Sequence, residues 1–227
     1  PHRHRVFHTG LLRSARLNTN ALGLQRGHLM RRLLIVVLVA ALGWFAYWFI
    51  AAYAARSGYE AWFQARQIEG WQAEYSELNL RGFPNRIDTT FEDIQLADPE
   101  TGFAWDAPFF QILALSYKPN HLIAVWPNTQ TVSTPLQKIA IGSADMKASA
   151  VFAANTNLAL KRANFATESL NLTSDAQWTV TAESIRIALL QDEDDETRYQ
   201  FALQGQGVAP PRALRNEVLP ETIEALD

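Results

Sequence analysis

The pattern of apolar and polar residues begins with a long helix. Residues 33–55 contain no Asp, Glu, Lys or Arg, and about 20 such residues cross a hydrocarbon core as a helix. Apolar residues then recur at helical spacing until Gly70, a residue that commonly ends helices. The pattern therefore predicts one helix over residues 31–69, the first part of which spans a membrane and the exit portion of which is rich in aromatic residues.

From Trp71 onward the period of the pattern changes to two. Apolar and polar residues alternate in several segments, of which the clearest are residues 146–152, 178–182 and 198–204. Turn sequences rich in Gly, Pro, Asn and Asp separate these segments at intervals of about ten residues, without long helical patterns between them. This arrangement is typical of an antiparallel meander and not of alternating strands and helices.

The apolar phase shifts by one residue within two of the predicted strands. The first shift lies near Glu92-Asp93 and the second near Glu183-Ser184. A shift of one residue turns every later side chain to the other face unless a bulge or bend intervenes, so each strand is expected to carry one.

The segments around these two shifts are also alike. Residues 78–80 match residues 170–172, and residues 92–96 match residues 183–187. Two interpretations remain open, a duplicated bent hairpin or the short apolar patterns that any two hairpins share.

The end of the chain returns to helical spacing, which predicts a helix that covers the sheet. The residues of this pattern are Leu214, Val218, Leu219, Ile223 and Leu226. The expected fold class is therefore α+β and mainly β: an N-terminal transmembrane helix, an antiparallel β-meander domain and a C-terminal covering helix.

Three segments are expected along the chain. Residues 1–29 are a disordered or over-extended N-terminal tail, residues 30–69 are the transmembrane helix with its aromatic exit portion, and residues 70–227 are a β-rich domain that is cut short at its C-terminus. The tail carries four of the five histidines, and a metal-binding cluster there is the less favoured interpretation.

The distribution of charge indicates an orientation. Residues 1–32 carry seven Arg and no acidic residue, whereas residues 56–227 carry 13 basic and 23 acidic residues. Basic residues flank the cytoplasmic side of a span, so the body is expected outside the cytoplasm, which in a bacterium means the periplasm. Its acidic charge and scattered basic residues disfavour nucleic acid as a partner.

Two alternatives to a membrane anchor fit the sequence less well. A cleaved signal peptide ending near Ala52-Tyr53-Ala54 would need an apolar region much longer than the usual stretch of about 7–15 residues. A buried core helix normally keeps a polar stripe, which residues 33–55 lack. The absence of cysteine excludes disulfides and cysteine-bound metal.

One hairpin sequence resembles a known family. Residues 80–88 read LRGFPNRID and lead into residues 91–94, FEDI; together with the basic N-terminus and the single span they resemble the uncharacterised bacterial family called domain of unknown function 2125. The likeness covers residues 30–227. It implies a membrane-anchored protein of the Gram-negative envelope, and it implies no activity and no catalytic residues. Its most specific part is the turn Arg81, Gly82, Phe83 and Pro84.

Candidate catalytic groups are few. His121 is the only histidine of the body, and no motif for phosphate, dinucleotide or zinc binding occurs. The acidic run at residues 192–196 lacks the register of an EF-hand loop and is interpreted as a solvated hairpin tip. Carboxylates available for paired acid-base chemistry are Asp88, Glu92, Asp93 and Asp106. Spacing selects no pair among them, so no catalytic residue, metal ligand or cofactor is predicted.

Aromatic and aliphatic residues concentrate between residues 103 and 126, where the run of residues 110–117 is apolar on both faces of its strand. A central strand covered on both sides explains this pattern, and so does an apolar surface that meets lipid or a partner. The candidate apolar binding face consists of Trp105, Phe109, Phe110, Leu113, Leu115 and Trp126.

These observations predict a single-pass inner-membrane protein with a periplasmic β-rich domain, acting as a non-enzymatic envelope assembly or lipid-handling module. The expected partners are the bilayer and either lipid or other envelope proteins. Two alternatives stay open: a structural scaffold for envelope proteins, and a hydrolase using His121 or an Asp/Glu pair.

Overall fold

The structure is a computed structural model that describes residues 19–155, 157–192, 194–211 and 222–226. Within these described residues, one helix is followed by eleven strands. They are α1 (Thr19–Ile68), β1 (Gln72–Glu74), β2 (Glu77–Arg81), β3 (Arg86–Asp98), β4 (Phe103–Leu115), β5 (Lys118–Val125), β6 (Thr129–Thr134), β7 (Gln137–Phe152), β8 (Leu160–Ser174), β9 (Thr179–Gln191), β10 (Tyr199–Val208) and β11 (Ile223–Leu226).

The chain divides into two compact units at residues 45 and 46. In the first unit the described part of α1 is strongly exposed and apolar, with Leu33, Val36 and Leu42 each at least 60% exposed. The long apolar helix predicted from the sequence is confirmed, and it fits a single-pass membrane protein because it is long and apolar enough to cross a bilayer.

The second unit holds the rest of α1 and a single antiparallel sheet. Along the sheet the strand order is β1-β3-β4-β5-β7-β8-β9-β10-β11, with β2 pairing β3 and β6 pairing β4 and β7. Neighbours in this order are mostly consecutive in the sequence, so the predicted meander is confirmed. The end of α1 packs on one face of the sheet at β1–β4, where Phe63, Ala73, Phe91 and Ile94 are buried together.

The first shift in apolar phase occurs at the predicted place. Asp93 adopts a left-handed backbone with φ of 49°, which Asp tolerates better than most residues. The opposite position in β4 is Pro108, which has no N–H to donate, and the pairing skips this one pair. Phe91 and Ile94 therefore point into the same core although they lie three residues apart.

The second shift in apolar phase, near Glu183-Ser184, arises from an irregularity in the neighbouring strand β8 and not in β9 itself. The pair Ser169 and Glu183 is skipped between β8 and β9, and the left-handed residue is Ser169, with φ of 50°. The irregularity thus lies on the strand that pairs with Glu183, because either strand of a pair can absorb the change of face.

The two similar sequence segments form equivalent hairpins. In the first, Leu78 pairs with Phe91 and Leu80 with Thr89. In the second, residues 170 and 172 pair with residues 182 and 180. The first strands of the two hairpins are 92 residues apart in the sequence, and the second strands are 91 residues apart. With these two offsets each pair of the first hairpin corresponds to a pair of the second, which is the pairing that a duplicated hairpin requires.

The structure does not show the predicted C-terminal covering helix. Residues 223–226 are strand β11, which pairs with β10, and the other residues of that prediction lie outside the described part of the chain. The helical spacing was misleading at this edge because a free strand edge offers unpaired backbone groups to a following segment. Among the described residues, the sheet is covered instead by the end of α1.

The turn Arg81, Gly82, Phe83 and Pro84 joins β2 to β3, as predicted. Gly82 has a φ of +107°, and the N–H of Arg86 donates to its carbonyl oxygen at 2.8 Å. A Cβ atom at Gly82 would lie 2.7 Å from the Cβ of Arg86 and 2.9 Å from its carbonyl oxygen. Glycine is therefore required here both by its backbone angle and by the close approach.

We expect Gly82→Val to lower the free energy of unfolding by at least about 1 kcal/mol, because a β-branched residue is strained at positive φ. Gly142→Val in β7 is the matched control, since a Cβ there meets nothing closer than 3.8 Å. Urea denaturation of both variants measures the difference. Equal midpoints for the two variants would contradict the role assigned to Gly82.

Candidate apolar binding face

The registers of the sheet place apolar residues from seven strands on one face. Directly paired residues of antiparallel strands point to the same side, so each set of paired residues forms a row across the sheet. The first row is Thr89, Ile112, Ala124, Ala148, Phe165, Ile187 and Leu203. The second row is Ile87, Ala114, Leu122, Ala150, Ala163, Leu189 and Phe201. We call these two rows the apolar face.

The opposite face, which we call the polar face, differs in composition. One of its rows is Thr90, Gln111, Val125, Lys147, Ala166, Arg186 and Gln204. Charged and amide side chains alternate there with small apolar ones, as expected for a surface in contact with water. The sheet therefore has two chemically distinct sides over most of its width.

Helix α1 covers only the first part of the apolar face. Phe63 and Tyr59 of the helix contact Phe91 of β3, with ring centroids 5.5 and 5.3 Å apart. The only polar member of the two rows, Thr89, is 1% exposed at this end and hydrogen-bonds to Tyr59. Burial of this hydroxyl is thereby compensated, and the covered end of the face behaves as an ordinary core.

The aromatic packing continues beyond the helix. Phe91 is followed by Phe110 at a centroid distance of 6.5 Å, by Trp126 at 5.2 Å from Phe110, and by Phe165 at 6.2 Å from Trp126. These distances lie in the range of favourable aromatic pairs. A continuous line of rings thus runs from the core under α1 to the middle of the sheet at β8.

A cavity of about 490 Å³ lies between α1 and the sheet. Its walls come from the helix at Gly58, Tyr59 and Trp62 and from the sheet at Leu96 and Ile112. The walls are almost entirely apolar, and the volume falls in the range of about 300–1,000 Å³ that is usual for small-molecule sites. The cavity is suited to a hydrocarbon group and offers little to a polar one.

The far part of the apolar face is open to solvent in the described structure. Phe201 is 64% exposed and Leu203 is 37% exposed, while Phe165, Ile187 and Leu189 are half-buried. Contiguous apolar surface of this kind marks a contact site in soluble and peripheral proteins.

The structure divides the six residues of the predicted binding face between the two sides of the sheet. Trp105 and Phe110 pack with the core under α1, and Trp126 contacts Phe110. The other three residues point to the polar side, because they pair with Arg86, Asp88 and Glu92; they are Leu115, Leu113 and Phe109.

Sequence reasoning missed the residues of β8, β9 and β10 that extend the apolar face. Phe165, Ile187 and Leu189 lie on strands far from residues 103–126 in the sequence. Their alternation with polar residues is visible in the sequence, and it indicates a one-sided apolar strand. What the alternation does not supply is the register that aligns these strands with β4.

The candidate carboxylates line two different cavities. Asp93 and Asp106 line one polar cavity of about 560 Å³, whereas Asp88 and Glu92 line another of about 360 Å³ together with Arg86. Arg86 Nε lies 3.0 Å from a carboxylate oxygen of Asp88.

His121 lies in β5, half-buried, opposite Val151 of β7. It lines neither of these two cavities, and its side chain makes no hydrogen bond to the part of the chain that the structure describes.

The described residues of the acidic run, 192 and 194–196, lie in the connection between β9 and β10, where the sequence predicted a hairpin tip. The Thr197 hydroxyl donates to Asp195 Oδ1 at 2.6 Å and lowers the pKa of that carboxyl group. At the turn after β3, a hydrogen bond from Thr101 lowers the pKa of Asp98 in the same way. These carboxylates serve the geometry of their turns. No group of three or more metal-ligating side chains occurs among the residues that the structure describes.

Comparison with known proteins gave one finding. A family model described as "Uncharacterized protein conserved in bacteria (DUF2125)" matches residues 48–227. Searches of the curated proteins and of the solved structures found no significant match. The matched residues include the last part of α1 and the whole sheet, so the family unit contains both the apolar face and the helix segment that partly covers it.

Proposed function

The chain belongs to this family of uncharacterised bacterial proteins, domain of unknown function 2125, and we propose that it is a membrane-anchored, non-enzymatic module that holds lipid acyl chains on its apolar face. In this proposal α1 anchors the protein in the inner membrane of a Gram-negative bacterium. The sheet lies in the periplasm and takes part in lipid handling or envelope assembly.

One observation carries the proposal. Two adjacent rows of the sheet are apolar from β3 to β10, apart from Thr89 at the covered end, and the far part of both rows is open. A row that crosses seven strands is about 29 Å long, because neighbouring strands lie about 4.8 Å apart, and this length accommodates an extended acyl chain.

The chemistry of the face selects the class of ligand. A ligand with many polar groups would bury them without hydrogen-bond partners, at a cost of about 1–3 kcal/mol each. An acyl chain has no such groups and gains about 0.8 kcal/mol for each buried methylene. The open apolar surface, the line of aromatic rings and the apolar cavity under α1 therefore favour a long hydrocarbon chain.

Photo-crosslinking of the full chain in its membrane tests this function. A benzophenone side chain at Phe201 is expected to give lipid adducts on irradiation, because this position lies on the apolar face. The same group at Gln200, which is also exposed but points to the polar face, is the matched control. Mass spectrometry of the labelled peptide identifies the adduct.

The outcome distinguishes the proposal from a structural scaffold. Adducts to another envelope protein at Phe201, without lipid, would support the scaffold. Lipid adducts of equal yield at both positions would mean that the membrane surrounds the sheet without regard to its faces, and would contradict the assigned site.

The orientation is tested by a reporter. The seven Arg on one side of the span favour an orientation with the body outside the cytoplasm. An alkaline phosphatase fused after Asp227 is therefore expected to be active, and a fluorescent protein that folds only in the cytoplasm is expected to be dark at the same position. An inactive phosphatase together with a bright fluorescent protein would contradict the proposed periplasmic location.

A further inference from the structure

A cluster of exposed aromatic side chains lies at one end of the sheet, beside the helix. Phe83, at the tip of the β2–β3 turn, contacts Trp48 and Phe49 of α1 at centroid distances of 5.4 and 6.2 Å. Tyr117, in the β4–β5 turn, lies at the same end of the sheet. Phe83 is 49% exposed, Phe49 50% and Tyr117 56%. These exposed aromatic residues, which come from the helix and from two neighbouring turns, form an apolar surface.

The position of this cluster along α1 indicates what it meets. Trp48 and Phe49 belong to the charge-free residues 33–55, and the first charged residue after them is Arg56. Arg56 lies seven positions after Phe49, which is a distance of about 10 Å along the helix axis. The β2–β3 turn therefore touches the helix within its apolar part. A bilayer that surrounds the whole of the charge-free residues 33–55 therefore also extends to the β2–β3 turn.

Three backbone carbonyl oxygens of these turns accept hydrogen bonds from side chains and therefore do not need water as a partner. Trp48 Nε1 donates to the carbonyl oxygen of Arg86 at 2.7 Å, and the Tyr47 hydroxyl donates to the carbonyl oxygen of Ser116 at 2.7 Å. Ser116 itself is 0% exposed and donates its hydroxyl to the carbonyl oxygen of Pro84 at 3.1 Å. Backbone carbonyls near lipid must find partners within the protein, and here two aromatic residues of the helix supply them.

Basic residues flank the two turns and follow the apolar run in the sequence. All four are exposed, and they belong to α1, β2, β3 and β5; they are Arg56, Arg81, Arg86 and Lys118. Two of them also pair with carboxylates, Arg56 with Glu60 and Arg86 with Asp88. Aromatic rings at headgroup level with basic residues next to them are the arrangement found at membrane interfaces, and each basic residue near an anionic surface contributes about 1 kcal/mol.

We propose that the β2–β3 and β4–β5 turns insert Phe83 and Tyr117 into the headgroup region of the bilayer that α1 spans, so that the end of the sheet is docked on the membrane at two points besides the helix. The partner is the phospholipid bilayer itself. The acidic β9–β10 tip lies at the same end of the sheet, four strands away from β4. Its negative charge is unsuited to a membrane surface, so the docked surface is limited to these two turns. This inference does not require lipid to occupy the apolar face.

The chain contains no cysteine, which allows a direct measurement. Phe83→Cys, Tyr117→Cys and Leu136→Cys are each labelled with a nitroxide in the full chain, reconstituted in vesicles of phosphatidylcholine with phosphatidylglycerol. Leu136 is the control, since it is 91% exposed in the β6–β7 turn at the opposite end of the sheet. Power saturation then compares collisions with oxygen, which concentrates in lipid, and with a water-soluble nickel chelate.

The labels at Phe83 and Tyr117 are expected to show an oxygen-to-nickel collision ratio several-fold higher than the label at Leu136. A ratio at Phe83 equal to that at Leu136 would overturn the proposal. Low collision rates with both reagents at Phe83 would overturn it as well, because they would mean that a protein surface covers the turn. Each variant leaves the other turn intact, so a folding defect in one does not remove the test, and neither result depends on crosslinking at Phe201.

Discussion

Phe91→Ala is expected to lower the free energy of unfolding by about 3–5 kcal/mol, the usual cost of deleting a buried phenylalanine side chain. Phe91 is 2% exposed, and its ring contacts Tyr59, Phe63 and Tyr75 at centroid distances of 5.3, 5.5 and 5.7 Å. These partners belong to the helix and to the connection between β1 and β2, so the cavity would open where α1 and the sheet meet. Because total stability is about 5–15 kcal/mol for a typical domain, the effect is large.

Phe109→Ala in the neighbouring strand is the matched control for this prediction. Phe109 is half-buried on the polar side, opposite Glu92, and its removal is expected to cost only about 1–2 kcal/mol. Denaturant unfolding of the full chain in mild detergent, followed by tryptophan fluorescence, measures both variants. Equal costs would show that the helix does not close a core over β3 and β4.

Replacing both Phe201 and Leu203 with Asp is expected to reduce lipid crosslinking from a benzophenone at Leu189 by at least about tenfold. Leu189 is directly paired with Phe201 on the apolar face, and an unpaired charge beside an acyl chain costs several kcal/mol, more than the 1.4 kcal/mol that corresponds to a factor of ten. Both replaced side chains are already exposed, so the fold is expected to tolerate the change.

The matched control carries the same charges on the same strand. Gln200→Asp with Gln204→Asp alters two exposed residues of β10 that point to the polar face, and crosslinking from Leu189 is expected to stay at the wild-type level. A loss of crosslinking in both double variants would attribute the effect to net charge and would contradict acyl-chain binding on the apolar face.

The six residues of the predicted binding face lie on two sides of the sheet because of a change of phase in β4 that the sequence did not reveal. Trp105, Phe110 and Leu113 all belong to one apolar run, and period-two alternation alone places Trp105 and Leu113 on the same side. The irregularity at Pro108 and Asp93 reverses the phase between them, so that Phe110 joins Trp105 and Leu113 faces the other way. The sequence showed a shift in β3, but the corresponding shift in β4 follows only from the pairing of the two strands.

The C-terminal strand illustrates a related limit. The four residues of β11 are too few to carry a reliable period, and their strand conformation depends on the free edge of β10 that they pair with. A contact between distant segments therefore overrode the local pattern.

The sequence by itself determined the long apolar helix, the antiparallel meander and the glycine at the β2–β3 turn, because each depends on local spacing or backbone angles. The tertiary structure alone decided which apolar residues share a face, how far α1 covers them, and which turns lie beside the helix. These features depend on strand register and on contacts between residues far apart in the chain. A shift of one residue in any strand would move its side chains to the opposite side of the sheet.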